Sequence, residues 1–173
     1  VGGVGRVRME LHANSLAESL SRIYDGKFVP LHAPARVSSR NIRDELLKED
    51  SLLPAIYLTQ KLDIAVVGIG YPNEKSAIMA TGYFKENEIE SLIDRKVAGE
   101  LCMQFYDIYG DTAPYKDDNN VIGMDISMLR SVPRSIGIAG GVEKLRAVRG
   151  AINGHYINTL ITDIECAEAL ISE

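Results

Sequence analysis

Short apolar runs alternate along the chain with longer stretches in which apolar residues recur every three or four positions. The longer stretches predict helices, which we place at 9–24, 39–49, 51–61, 85–94, 142–152 and 164–172. The short runs predict strands, which we place at 27–32, at 63–70, within 99–111, at 134–140 and at 157–163, with more extended chain at 119–124. The run at 63–70 is apolar at nearly every position and rich in β-branched residues, which is typical of a strand buried on both faces.

Three of these helices carry recognisable signals at their N-termini. Ser39 is placed to cap the helix at 39–49. Pro54 falls in the first turn of the helix at 51–61, where its missing N–H is tolerated. Thr162 and Glu165 have the spacing of a capping box for the last helix, and Asp163 is an alternative N-cap.

Strands that alternate with helices of this length predict an α/β domain with a mostly parallel sheet and helices on both faces. In such a sheet, ligands bind beyond the carboxyl ends of the strands. The chain places glycines or short polar residues after its predicted strands, and it also opens on a glycine-rich loop that would join them if a strand preceded it. We therefore expect one rim formed by Gly2, Gly3, Gly68, Gly70, Gly140, Gly141 and Thr162–Asp163.

Size and composition narrow the class of protein. The 173 residues suit one domain, 1–173, and 46% apolar with 25% charged residues is ordinary for a globular protein. No apolar run approaches the roughly 20 residues of a membrane span, and no secretory signal opens the chain. The formal charge of −5, with basic residues interleaved among acids, disfavours a nucleic-acid surface on this chain.

Cys102 and Cys166 lie far apart without metal-type spacing, so we interpret them as reduced, buried thiols of a cytoplasmic protein. The chain begins "VGGVGRV" without an initiator methionine, as expected of a domain excised from a longer protein.

The stretch "IGIAGGVEKLRAVRG" is the strongest candidate for an anion site. A helix start presents unpaired N–H groups and partial positive charge, and glycine lets a ligand approach the backbone. Lys144, just inside the predicted helix, could reach a bound anion, while Glu143 is expected to point elsewhere. The alternative is an ordinary strand-to-helix turn with a surface lysine. Because neither a GxxxxGK[ST] motif nor a dinucleotide fingerprint is present, a nucleotide cofactor is disfavoured.

Other polar residues could hold sugar hydroxyls. Glu100 begins an apolar run, where a carboxylate usually needs a partner; it could bind a polyol or pair with a nearby cation. His12 and Asn14 could face the rim, or they could be a capping or surface pair. His32 ends a predicted strand and could also reach the rim. No metal-ligand spacing, nucleophile elbow or acid–base dyad is recognisable, so we expect no metal and assign no catalytic residue.

Several segments, in this order, resemble the effector-binding domain of the SorC family of bacterial transcriptional regulators. They are "GGVG…ELHANSLAESL", "PLHAPARV", "DIAVVGIG", "GELCMQFYDIYGD" and the block from "NNVIGMDISMLRSVPRSIGIAGG" to "ITDIECAEAL". The resemblance implies a fold similar to glucosamine-6-phosphate deaminase and ribose-5-phosphate isomerase, an N-terminal helix-turn-helix DNA-binding domain absent here, and a sugar effector, usually phosphorylated. It also implies self-association into dimers or tetramers.

The same resemblance assigns ligand contacts residue by residue. The lysine after the Gly-Gly turn falls on Lys144, and the acidic residue that opens the "GE" segment falls on Glu100. The polar residues before the first long helix fall on His12 and Asn14, and the glycine-rich loops fall on Gly2–Gly3 and Gly68–Gly70.

Two departures from the family pattern concern the ligand. Val1 stands where some members have a basic residue, and "YPNEKSAIMATGYF" lacks the arginine that helps hold a second phosphate. We therefore expect a monophosphorylated or neutral sugar rather than a bisphosphate. A sugar-phosphate isomerase or deaminase on the same fold is the enzyme alternative, and an oligomerisation module with a vestigial pocket is the third.

Overall fold

The computed structural model describes residues 13–73, 76 and 82–172, and its centre is a five-stranded sheet of order β3-β2-β1-β4-β5. The pairs β1–β4 and β4–β5 are parallel, and β2 runs antiparallel between β1 and β3. Four of the five strands therefore point the same way, which confirms the α/β class with a mostly parallel sheet. The strands are β1 Ile64–Gly70, β2 Gly99–Leu101, β3 Gln104–Tyr106, β4 Arg134–Ile138 and β5 Thr159–Ile161.

Six α-helices lie in the described part of the chain, together with short 3-10 segments. Ser39 caps α2 by accepting a hydrogen bond from the Ile42 N–H at 3.4 Å, and Pro54 lies in the first turn of α3, so both predictions are confirmed. The helices are α1 Ala13–Ile23, α2 Arg40–Leu46, α3 Leu53–Thr59, α4 Glu86–Asp94, α5 Leu145–Asn153 and α6 Ile164–Ser172. The 3-10 segments are Ala113–Asp118, Ile126–Ser131 and Val142–Lys144.

The main core lies between one face of the sheet and α5. Alternate residues of β1, among them Val67 and Ile69, pack there with Val148 and Ala151 of α5. On the other face of β1, Val66 is 58% exposed. The prediction that this strand is buried on both faces is therefore wrong, because an apolar run does not say whether a second layer covers it. The apolar residues left exposed on this face of the sheet are Ile64, Val66, Ile138 and Ile161.

Two predicted extended segments differ in the structure. Residues 27–32 form no strand, and the extended chain at 119–124 contributes only a single bridge between Arg36 and Val121. The region 99–111 is a tight hairpin followed by a turn, because Cys102 and Met103 both adopt positive φ (53° and 61°) between β2 and β3. Two consecutive residues with positive φ are what a two-residue hairpin turn requires.

Gln104 on β3 ties the long connection before β4 to the sheet. Its side chain is 3% exposed, and its Nε2 donates to the Met124 carbonyl at 2.8 Å. Its Oε1 accepts from the Ile126 N–H at 3.1 Å and from Asn119 Nδ2 at 3.2 Å. Both polar atoms of the buried amide thus have partners. They attach to the sheet the connection between β3 and β4, which contains neither a strand nor a long helix.

Within the described ranges, no helix combines the length and the apolar character needed to cross a membrane. Among the same residues, no three His, Cys, Asp or Glu side chains gather closely enough to hold a metal ion. Cys166 is buried, Cys102 is half-buried, and both are free thiols.

Candidate functional site

The turns after the three parallel strands meet at one edge of the sheet. Gly68 pairs in register with Ile138, and Ile138 with Ile161, so the three carboxyl ends lie side by side. Beyond them, the Gly141 N–H donates a very short hydrogen bond to Asp163 Oδ2. The expected rim is therefore formed by the end of β1 at Gly68–Gly70 and by the turns at 140–141 and 162–163. Gly68 and Gly70 lie within β1 and do not follow it, so that part of the prediction is wrong. Gly2 and Gly3 lie outside the described residues.

Glu100 reaches the same edge because β2 runs antiparallel to β1. The register places Glu100 opposite Gly70, and its Oε2 accepts a hydrogen bond from the Met103 N–H at 2.8 Å. Burial raises the pKa of Glu100 to about 7, and this rise is partly offset by the Met103 hydrogen bond and by the positive charge of Lys144. Near neutral pH the carboxyl group can therefore either accept from or donate to a hydroxyl group.

Lys144 is half-buried and supplies the positive charge of this rim. It is the last residue of the 3-10 segment and the N-cap of α5, rather than a residue inside the predicted helix at 142–152. No acceptor in the described ranges takes a hydrogen bond or ion pair from its ammonium. Its charge lowers the pKa of Glu100, so its ammonium lies close enough to interact electrostatically with that carboxyl group.

The loop between β4 and α5 leaves backbone donors free. Gly141 has φ of +97°, a conformation that favours glycine. The N–H groups of Gly140, Val142 and Glu143 have no acceptor among the residues that the structure describes. A Cβ built on Gly141 would lie 2.6 Å from Glu143 Cδ, so the Glu143 carboxylate turns back onto the loop. The expectation that Glu143 points elsewhere is wrong.

Asp163 joins this loop to the last helix. Its Oδ2 accepts from Gly141, and its Oδ1 accepts from the Cys166 N–H at 2.8 Å, which makes Asp163 the N-cap of α6. These hydrogen bonds lower the pKa of Asp163, which stays ionised at neutral pH. The predicted Thr162–Glu165 capping box is wrong, and the Thr162 hydroxyl is buried without a partner in the described chain.

The hydrogen bond between the Gly141 N–H and Asp163 was not predicted from the sequence. The only signal was positional: a Thr-Asp pair follows the strand next to the one that precedes the Gly-Gly turn.

The remaining predicted residues are placed less directly. Asn14 pairs with the backbone of Leu31 through its Nδ2 and Oδ1, both at 3.4 Å, so it has a structural role and its contact with a ligand stays a prediction. A Cβ on Gly68 would meet nothing within 4 Å. His32 is exposed, and His12 lies outside the described residues.

A polar cavity of about 310 Å³ lies beside β3 and shares no residue with the rim. Its walls combine the basic side chains Arg40, Arg43 and Lys116 with Asp111 and Asp125. The two aspartates accept hydrogen bonds from nearby backbone N–H groups, and no strand-end glycine turn opens into this cavity. The rim is therefore the better candidate for a ligand site.

Comparison with known proteins gives a family match over nearly the whole chain. A family model described as "Putative sugar-binding domain" matches residues 1–172. The sorbitol operon regulator of Klebsiella pneumoniae is 30% identical over 170 residues, which cover 98% of this chain and 54% of that protein. The transcriptional regulator LsrR of Escherichia coli is 36% identical over 142 residues, covering 80% of this chain and 45% of that protein. The chain thus spans about half the length of these curated relatives.

Solved structures show the same fold. Full-length sorbitol operon regulator SorC from Klebsiella pneumoniae superposes with a TM-score of 0.87 at 31% identity, covering 99% of this chain and 56% of that one. A transcriptional regulator from Streptococcus pneumoniae superposes with a TM-score of 0.90 at 25% identity, covering 99% of this chain and 66% of that one. The arrangement of sheet and helices is therefore that of these regulator domains.

Proposed function

The chain belongs to the family of sugar-binding domains that its sequence matches from residue 1 to 172, and from this premise we propose that it is the effector-sensing domain of a bacterial SorC-type transcriptional regulator. The ligand is a sugar, phosphorylated or neutral, bound at the rim of the sheet. The observation that carries the proposal is that Lys144, Glu100 and the free N–H groups of the Gly140–Gly141 loop share that rim.

Two kinds of group at the rim bind different parts of the ligand. The Lys144 ammonium and the backbone N–H groups take the anion, since charge-assisted hydrogen bonds to an anion are the strong ones. Glu100 binds hydroxyl groups, and Gly70 leaves room for its carboxylate. His12, Asn14, Gly2, Gly3 and Gly68 complete the proposed contacts on the basis of the sequence.

The charges at the rim favour one phosphate rather than two. Two carboxylates, those of Glu143 and Asp163, already approach the Gly140–Gly141 loop. A second dianionic group would add repulsion there without a further cation among the residues described at the rim. A monophosphorylated or neutral sugar therefore suits the site better than a bisphosphate.

Regulation requires that the ligand bind one arrangement of the protein better than another. We place contact with DNA in a helix-turn-helix part outside this chain, and the protein in the cytoplasm, where DNA and phosphorylated sugars are both present. The domain self-associates as a dimer or tetramer. The exposed apolar face of the sheet supports self-association, because such faces are normally covered.

The enzyme alternative draws on one observation. A carboxyl group with a pKa of about 7, such as that of Glu100, suits general acid–base catalysis of sugar-phosphate isomerisation. The curated relatives named above are regulators, so we propose binding without turnover. Incubation with candidate ketose and aldose phosphates in D₂O separates the two. An isomerase would exchange a proton at C1 of a ketose phosphate or at C2 of an aldose phosphate, and NMR would detect the loss of that proton signal.

The proposed function is tested by thermal unfolding of the chain with a panel of sugar phosphates, each matched with its unphosphorylated sugar. A ligand at 100 times its dissociation constant adds roughly 2.7 kcal/mol to the free energy of unfolding, which is readily measured. Stabilisation by at least one sugar or sugar phosphate is expected. No stabilisation by any of them would instead favour the oligomerisation module with a vestigial pocket.

A further inference from the structure

One carboxylate at the rim serves two elements at once. Asp163 Oδ2 accepts from the Gly141 N–H in the proposed anion loop, and Asp163 Oδ1 accepts from the Cys166 N–H in the first turn of α6. Loss of the hydrogen bond between Gly141 and Asp163 would therefore also affect the hydrogen bond between Asp163 and Cys166.

Asp163 already occupies one N–H group of the proposed anion loop, that of Gly141. A Cβ built on Gly140 would lie 2.9 Å from Asp163 Oδ2, so this oxygen rests directly on the Gly-Gly turn. A carboxylate oxygen and a phosphate oxygen are both anionic hydrogen-bond acceptors, and one N–H can make a good hydrogen bond to only one of them at a time. Two anions on the same turn also repel each other. A phosphate that takes the Gly141 N–H must displace Asp163.

Displacement of the Asp163 carboxylate from the Gly141 N–H would affect α6, because the same side chain caps that helix. The first turn of α6 is packed through Cys166, which is fully buried. Further along the helix, Arg149 Nη2 of α5 donates to the Leu170 carbonyl at 3.2 Å. α6 is thus held both by the Asp163 cap and by α5, the helix that follows the anion loop.

We propose that Asp163 is a latch: the anionic group of the ligand takes the Gly141 N–H from it, and the loss or rearrangement of its bond to Cys166 passes ligand binding on to α6. This inference rests on the proposed function and names its conformational output. The competing picture is a static brace, in which Asp163 keeps both bonds and the anion uses only the N–H groups of Gly140, Val142 and Glu143.

The substitution Asp163→Asn separates these pictures while keeping the cap. Asparagine caps helices about as well as aspartate, so its single acceptor oxygen can serve Cys166. The NH₂ group cannot accept from Gly141, and the negative charge is gone. Asp107→Asn is the matched control, because Asp107 also accepts two backbone N–H groups, those of Tyr109 at 2.9 Å and Asp111 at 2.8 Å, and is not at the rim.

The experiment is a titration of the ¹⁵N-labelled chain with inorganic phosphate, with sodium chloride at equal ionic strength as reference. In the wild type, phosphate should shift the amide resonances of residues 140–143 and increase the hydrogen-exchange rate of the Cys166 amide several-fold. Asp163→Asn should bind phosphate about fivefold more tightly, because a like charge at close range is removed. Asp107→Asn should bind it as the wild type does.

Two other outcomes separate the latch from the proposed function. If phosphate shifts residues 140–143 but leaves Cys166 exchange unchanged, and Asp163→Asn binds no more tightly, the latch is wrong and the anion site stands. If phosphate shifts none of these amides in the wild type or in Asp163→Asn, the anion site is wrong, and the latch fails with it.

Discussion

Gly70 and Glu100 face each other across the antiparallel pair β1–β2, so closely that a Cβ on Gly70 would lie 2.8 Å from Glu100 Cδ. The absence of a side chain at Gly70 is what lets the Glu100 carboxylate lie against the strand and accept the Met103 N–H. The position of the one carboxyl group proposed to bind hydroxyls thus depends on a glycine thirty residues earlier.

Gly70→Ala should therefore destabilise the protein. The new methyl group would displace the Glu100 carboxylate and leave the buried Met103 N–H unpaired, which costs about 1–3 kcal/mol. Gly68→Ala is the matched control for stability, because a Cβ at that position of the same strand meets nothing within 4 Å. Urea unfolding would measure both, and equal free energies of unfolding for the two variants would contradict the packing described here.

The free energy of unfolding should depend on pH because Glu100 has a raised pKa in the folded protein. Its pKa is about 7 in the folded state against an ordinary value of 4.5, so the folded protein binds the proton more tightly than the unfolded chain. The resulting stability is complete below pH 4.5 and is lost as the pH rises to 7 and above, an effect of about 3 kcal/mol.

Glu100→Gln removes this titration and should flatten the profile between pH 4.5 and pH 7 by that amount. Glu90→Gln, an exposed residue of α4, should leave the profile unchanged. Free energies of unfolding from urea titrations at pH 5 and pH 8 provide the measurement. A wild-type profile retained in Glu100→Gln would show that the carboxyl group is not held as described.

Lys144→Ala should weaken the binding of a sugar phosphate. Loss of a charge-assisted hydrogen bond of roughly 1.5–3 kcal/mol corresponds to about a ten- to hundredfold loss of affinity. Isothermal titration calorimetry with a sugar phosphate found in the thermal screen measures it. Lys27→Ala removes an exposed lysine elsewhere and should bind as the wild type does; equal affinities for both variants would remove Lys144 from the site.

Gln104→Leu should destabilise the fold without touching the rim. The substitution leaves the Met124 carbonyl and the Ile126 N–H without their side-chain partner, and unpaired buried groups cost about 1–3 kcal/mol each. Gln60→Leu, at an exposed position after α3, should change the free energy of unfolding by no more than about 0.5 kcal/mol. A similarly small effect of Gln104→Leu would mean that the 107–133 connection is held by other contacts.

Much of the secondary structure was predictable because it depends on local periodicity. The structure places α4, β1 and α6 within one residue of the predicted ranges at 85–94, 63–70 and 164–172. The hairpin at Cys102–Met103 was not predicted, because neither residue type favours positive φ and the turn therefore left no signal in the sequence. The strand predicted at 27–32 failed for the opposite reason: the apolar run is real, but no neighbouring strand pairs with it.

The sequence by itself determined that glycine turns follow parallel strands, and parallel strands necessarily bring their carboxyl ends to one edge. It thereby placed Gly70, Gly140 and Asp163 together, and resemblance to known regulators pointed to Lys144 and Glu100. Only the tertiary structure decided that Val66 stays exposed on one face of β1, that the Glu143 carboxylate turns back onto the loop, and that Asp163 accepts from the Gly141 N–H. These outcomes depend on which groups meet across distant segments, and such contacts leave no periodic trace along the chain.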